Sequence, residues 1–235
     1  MQPDANLIIP SLSPDLPGAV RLGLVAATPV RIVPSGAPFL AEVEATTRAL
    51  ADEHAGKPPS EIEGLAAARD FYRLFGIDPT RTRPSSEALL RRVLQGKGMP
   101  RILNAVDLCN LCALRFLLSI GLYDADAIRG GVTFRKGRAG ESYAGIRKDE
   151  VHLEGRPVLA DEAGPFGNPT SDSLRTSITD GTGSIWMVIF AQAAFPAATL
   201  NRHVASSRGL MERYLAPPDG ATVTAGKVIA SGVQL

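Results

Sequence analysis

Apolar residues change their spacing several times along this chain, and each change marks an element. A Val-, Leu- and Ile-rich run bounded by Gly18 and Pro34 predicts strands over residues 21–26 and 30–33. Helical spacing follows over 39–54, where Leu40, Val43 and Leu50 share a face and Gly56 lies just beyond the end. Residues 61–75 predict a second helix, stopped by Gly76 and Pro79. Ser85 or Ser86 can cap a third, running to about residue 95 with Leu89, Leu90, Val93 and Leu94 on one face. An almost wholly apolar helix over about 105–119 comes next. Strands are expected at 130–135, 145–153, 157–161 and 184–192, an amphipathic helix at 198–215, and a final hairpin over 221–233. Residues 1–18, rich in Pro, Ser and Asp, read as a loose lead-in. Strands and helices do not alternate strictly in the second half. That argues against a doubly wound parallel sheet and for an α+β fold of layered β-sheets with helices.

One element breaks its own pattern. The helix near residue 105 carries Asn104, Asp107 and Asn110 at three-residue spacing, which places them on one stripe. An unpaired buried polar group costs about 1–3 kcal/mol. The stripe therefore satisfies neighbouring backbone or lines a polar pocket, for which residues 156–190 could supply the opposite wall.

Composition narrows the classes. The 235 residues are 45% hydrophobic with a formal net charge of +1, so a sizeable core is available and no global field draws the chain to nucleic acid. Charge is uneven, however. Between residues 69 and 101 stand eight basic residues (Arg69, Arg73, Arg81, Arg83, Arg91, Arg92, Lys97 and Arg101) against three acids, Asp70, Asp78 and Glu87. Such a region can meet phosphates or be a solvated helix face. No apolar run spans a bilayer, and Met1-Gln2-Pro3-Asp4 does not resemble a secretory start, so a cytoplasmic, soluble protein with no membrane partner is expected.

Few catalytic signatures are present. Cys109 and Cys112 lie inside the apolar helix with no second pair to complete a zinc site, which favours ordinary packed cysteines; neither metal nor cofactor is expected. His54, His152 and His203 lack a recognisable nucleophile and acid. Gly181-Thr182-Gly183 suits a turn better than a phosphate loop. Asp172-Ser173 and Arg175-Thr176 sit in a polar Gly/Pro-rich loop, where sites concentrate and where local Asx turns are also common.

Several of these stretches together resemble the tRNA-editing domain of the phenylalanyl-tRNA synthetase beta subunit. The carriers are Asn104-Ala-Val-Asp107-Leu-Cys-Asn110, Tyr123-Asp124, Gly140-Glu141, Val158-Leu-Ala-Asp161-Glu-Ala-Gly164-Pro165 and Ser171-Asp172-Ser173. The preceding run from Phe71 to Gly96 is similar to that of free-standing members, which widens the match to about 61–192. The resemblance implies layered sheets and helices around a deep pocket for the aminoacyl end of a mischarged tRNA, in a stand-alone form of the domain. Residues 61–235 would form that domain, with residues 1–60 packing on it as a strand-and-helix segment.

The family's pocket uses a Thr-Asn pair, a histidine following a proline, and a glutamate in a small-residue loop. Following the motif, the pair falls on Cys109-Asn110, the proline on Ser119, the histidine on Gly121 and the glutamate on Asp172. The implied activity is a trans-acting aminoacyl-tRNA deacylase with Asn110 and Asp172 as catalytic residues. Cys109, Ser119, Gly121, Ser171, Ser173, Arg175 and Thr176 would bind substrate, and Arg73, Arg81, Arg83, Arg91, Arg92, Lys97 and Arg101 would meet tRNA. The shortened acid and the lost histidine leave open which amino acid is removed. A non-catalytic tRNA- or amino-acid-binding module on the same fold is the alternative.

Overall fold

The computed structural model describes residues 6–16, 18–146 and 148–231. Its centre is decided by two strands that bury both faces. In β2 (Val20–Thr28), Leu22, Leu24 and Ala26 face one side and Val25 and Ala27 the other. In β9 (Ile185–Gln192), Trp186, Val188 and Phe190 oppose Ile185, Met187, Ile189 and Ala191 in the same alternation. These strands pair antiparallel and are flanked by β3 (Ser119–Asp124) and β10 (Val223–Ala230), giving the order β10-β2-β9-β3.

Helices cover one face of this sheet. They are α1 (Ala37–Glu53), α4 (Asn104–Phe116) and α5 (Ala197–Tyr214), which deliver Phe39, Leu108, Leu111, Leu200 and Val204 to a shared core. Gly23 lets α5 approach closely, since a methyl there would lie 3.0 Å from Val204 and 3.2 Å from Leu200. The other face meets α2 (Ala66–Leu74) and a second sheet, through Phe71, Phe134, Leu159 and Phe166. That sheet contains β1 (Ser11–Leu12), β4 (Thr133–Lys136), β7 (Pro157–Asp161) and β8 (Gly164–Gly167), in the order β1-β4-β7-β8. A hairpin of β5 (Ser142–Gly145) and β6 (Lys148–His152) forms a separate two-stranded sheet that packs on β7 through Val151, Val158 and Ala160, and α3 (Ser85–Leu94) packs on α4. The architecture is the layered α+β arrangement expected.

Several elements differ from the sequence reading. Residues 30–33 form no strand; Val30 and Arg31 donate their N–H groups to the Gly183 and Leu215 carbonyls. The 61–75 helix is two 3₁₀ turns, Pro59–Glu61 and Glu63–Leu65, followed by the shorter α2. The apolar run through residue 122 hides a break. Leu117 takes a left-handed conformation (φ 54°), ends α4 and frees Ser119–Asp124 to become β3. The 145–153 strand is instead part of the β5–β6 hairpin, β8 had no counterpart, and 221–230 gives one strand rather than a hairpin. The lead-in holds a short strand, β1, parallel to β4. Residues 1–5, 17, 147 and 232–235 lie outside those described.

Candidate functional site

The polar stripe of α4 divides in two. Asn104 is buried and fully engaged: its oxygen accepts from the Val33 (3.1 Å) and Ala105 (2.9 Å) N–H groups, and its amide donates to the Arg31 carbonyl at 2.8 Å. Asp107 accepts from the Ser35 hydroxyl at 2.6 Å and the Ile102 N–H at 2.8 Å. These two side chains fasten residues 30–35 to α4, so they satisfy the backbone of a segment that no sheet pairs. Asn110, the third member, is half-buried, and its side chain makes no hydrogen bond among the described residues.

A different polar group is assembled at the mouth of β3 and the loop after β8. Ser119, Gly121 and Tyr123 alternate onto one face of β3. The Tyr123 ring lies over Gly121 and against Gly167; a methyl at either glycine would overlap its phenol. Neighbouring Asn168 folds the loop by an Asx turn. Its side-chain oxygen accepts from the Thr170 N–H (2.7 Å), the Thr170 hydroxyl (2.6 Å) and the Ser171 N–H (2.9 Å). The loop is then clamped from outside by the β5–β6 hairpin. Tyr143 donates to the Ser171 carbonyl at 2.5 Å, Ile146 N–H to the Asp172 carbonyl at 3.2 Å, and Leu174 N–H to the Ala144 carbonyl at 2.8 Å. From α2, Tyr72 donates to the Pro169 carbonyl at 2.6 Å, with the Ser119 hydroxyl 3.5 Å away.

Asp172 is the centre of this group. Although the residue is half-buried as a whole, its Oδ1 is buried and has no hydrogen-bond partner. Tyr123 Oη and Asn168 Nδ2, from the adjoining strand and loop, are also buried without partners. Burial pushes the Asp172 carboxyl up from the usual 3.8 to about 7. The Tyr123 hydroxyl, close by though without a hydrogen bond of its own, and the N–H groups of Asn168 and Leu122 favour its ionised form and oppose the shift, but desolvation outweighs them. Burial, with the negative field of Asp172 added to it, raises Tyr72 to about 12 and holds Tyr123, Tyr143 and Cys109 well above their ordinary ranges. Cys109 is thus a neutral thiol, unsuited to act as a nucleophile. The arrangement offers one carboxyl that changes charge near neutrality, ringed by phenols that do not.

The expected site residues therefore fall into three sets. Asp172, Cys109, Ser119 and Gly121 come together with Tyr72 and Tyr123, and Ser171 lies on the same loop. No described contact joins Asn110 to Asp172; Cys109 is the α4 residue within reach of that acid's field. Arg175, Ser173 and Thr176 have their side chains engaged in the fold. Arg175 forms a bidentate pair with Asp161 (3.0 and 2.8 Å) and stands 5.6 Å above the Phe166 ring centre, while Ser173 and Thr176 are buried 3.2 Å apart.

The basic residues carry partners of their own. Arg73 pairs with Asp70 (2.6 Å), Arg81 with Asp78 (3.8 Å), and Arg101 with Glu44 (3.7 Å). Arg83 and Arg91 both reach Glu87, at 3.6 and 3.0 Å, and Arg92 donates to the Lys97 carbonyl at 3.4 Å. Neither Asn110 nor Asp172 lines the surface hollows described, one of which, about 660 Å³, lies between residues 9–16 and 229–231. Tyr123 occupies the space beside Asp172. Sequence reasoning missed Tyr72, Tyr143 and Asn168 as site-builders. The Asn168-Pro169-Thr170 turn was a legible signal, whereas the two tyrosines arrive from distant elements.

An antiparallel sheet between helices and a second sheet, with a buried carboxyl–phenol cluster beside its β3 edge, defines a mixed α+β domain with a small polar site. Among the described residues, no group of three or more His, Cys, Asp or Glu is placed to hold a metal, and no helix is long and apolar enough to cross a membrane. Residues 67–213 match the B3/4 domain, and the chain belongs to that family. Over 159 residues it is 30% identical to the phenylalanine–tRNA ligase beta subunit of Streptomyces avermitilis, covering 65% of this chain and 19% of that protein. The same subunit of Chromobacterium violaceum is 32% identical over 111 residues, 46% of this chain and 14% of its own length. The chain thus spans less than a fifth of these curated relatives. An N-terminal fragment of the phenylalanyl-tRNA synthetase beta subunit from Pyrococcus horikoshii is similar over 96% of this chain and 51% of its own, at 13% identity and a TM-score of 0.44.

Proposed function

We propose that this chain hydrolyses the ester of a mischarged aminoacyl-tRNA, with Asp172 as the working carboxylate. The supporting observation is the buried Asp172 carboxyl, raised to about 7 and left without a partner on Oδ1, in a chain of the B3/4 family. An aminoacyl ester is already activated, so the site has to position the ester and one water. Ionised Asp172 takes a proton from that water as its oxygen adds to the ester carbonyl. The tetrahedral intermediate collapses, the C–O bond to the terminal ribose breaks, and the proton passes to the departing ribose oxygen. The N–H groups of Leu122 and Asn168, which already favour negative charge at Asp172, are candidates to stabilise the developing oxyanion. Asn110 would orient the substrate from α4, with Cys109 and Ser119 lining the recess.

The test is incubation with a panel of mischarged tRNAs, scoring ester loss. Hydrolysis of at least one species, slowed about 10²-fold or more in Asp172→Asn, is expected for loss of a general base. Absence of turnover across the panel would overturn the reading. A binding module without hydrolysis is the second reading, favoured by the Tyr123 ring already filling the space beside Asp172. Tight binding of an uncleaved aminoacyl-tRNA would select it.

A further inference from the structure

Away from Asp172, a second feature joins α2 to α3. Glu87, in the first turn of α3, is 2% exposed and receives arginines from three directions. Arg69 holds it in a bidentate pair at 2.8 and 2.9 Å, Arg91 donates to it at 3.0 Å, and Arg83 stands 3.6 Å away. Arg73, one helical turn after Arg69, turns to Asp70 at 2.6 Å. Between them lies a hollow of about 240 Å³ lined by Arg69, Arg73, Arg83, Arg91, Thr80 and Glu87.

We propose that this hollow is a phosphate seat, built by three guanidinium groups positioned around the buried Glu87 carboxylate, with Arg73, paired to Asp70, beside them. Charge separates this from a purely structural ion-pair cluster. Four arginines face two acids, Glu87 and Asp70, which leaves two positive charges in surplus. Arg73 and Arg83 are the most exposed of the four, so the surplus is open to an incoming anion. Donor count points the same way. Each guanidinium carries five N–H donors, and the hydrogen bonds described use two on Arg69 and one each on Arg73 and Arg91. Planar, forked donors at the rim of the hollow suit the oxygens of a phosphate group, while Pro79 and the arginine stems form much of its wall. Glu87 acts here as a positioning residue, fixing the guanidinium planes before any ligand arrives. The ligand chemistry is a phosphate, carried either on an RNA backbone or on a small free compound. The seat is separate from the ester-hydrolysing recess, although α2 contributes Tyr72 to one and Arg69 and Arg73 to the other.

The test uses the full chain, with Arg73→Gln and Arg83→Gln as variants that leave the Arg69–Glu87 pair intact, and Arg213→Gln on α5 as control. Uncharged tRNA is titrated by fluorescence anisotropy across a salt series, and inorganic pyrophosphate by calorimetry. Each of the two hollow variants is expected to weaken binding several-fold and, for tRNA, to lower the log–log salt slope by about 1, with the control unchanged. Dependence of tRNA affinity on Arg73 and Arg83 identifies an RNA phosphate as occupant. The same dependence for pyrophosphate alone identifies a free phosphate compound. If neither ligand's affinity distinguishes these variants from Arg213→Gln, the seat is overturned. A protein that binds either ligand through these arginines yet hydrolyses no ester loses the proposed activity and keeps the seat.

Discussion

Two buried polar regions of this molecule have opposite accounts. Asn104 and Asp107 on α4 have every described polar contact satisfied, and they hold an unpaired backbone segment in place. Asp172, Tyr123 and Asn168 keep buried polar atoms with no partner. A satisfied buried polar group lowers the energy of the fold, whereas an unsatisfied one raises it and persists where something else holds it. Here the holders are visible: the Asx turn of Asn168, the clamp from β5–β6, and Tyr72 on the Pro169 carbonyl. Polarity in an apolar setting therefore marks fold in one region and a candidate site in the other, and partner count tells them apart.

The largest expected effect comes from breaking the satisfied region. Asn104→Ala removes a side chain that bonds four separate backbone groups and should cost about 3 kcal/mol. Asp172→Asn at pH 8 should be stabilising or within about 1 kcal/mol of neutral, since it removes a buried charge. Urea denaturation of the two variants checks this, and equal losses would erase the distinction.

The pH dependence of stability sharpens it. Asp172 has a folded value raised above the unfolded one, so the folded state binds the extra proton between about pH 4 and 7. This group's contribution is therefore most favourable below pH 4, falls as pH rises through that window, and reaches its full cost above 7, a change of roughly 2–4 kcal/mol. Subtracting the Asp172→Asn curve from that of the native sequence should isolate this decline. A flat difference would place the carboxyl in water.

Gly121→Ala tests how tightly the recess is packed. Its methyl would meet the Tyr123 phenol, and overpacking of this kind costs about 1–3 kcal/mol. The loss should shrink in combination with Tyr123→Phe, a coupling measurable by a double-mutant cycle on thermal melts. The smallest effect is expected for Arg175→Lys. It replaces a bidentate pair to Asp161 with a point charge, at about 1 kcal/mol, readable in the same melts.

Much of this was legible in the chain, for stated reasons. β9 and α5 were read close to their true bounds because long, strongly periodic segments declare themselves. Asp172 was picked out by its loop and by family resemblance, and the structure gives it a raised pKa. Other features were hidden by competing physics. Leu117 adopts a conformation usually left to glycine, so the apolar run carried the expected end of α4 to about residue 119, three residues past Phe116. The stripe on α4 has helical spacing throughout, but spacing cannot show that Asn104 and Asp107 face the 30–35 segment. The tyrosines around Asp172 come from α2, β3 and β5, a convergence that exists only after folding.

The most direct measurement is the rate of ester hydrolysis from a cleaved mischarged tRNA between pH 5.5 and 8.5, for the native sequence and for Asp172→Asn. The native rate is expected to climb through an inflection near pH 7 as residue 172 ionises, with the variant slower and lacking that inflection. Equal rates and matching profiles for the two proteins would contradict the assignment of this carboxyl to the chemistry.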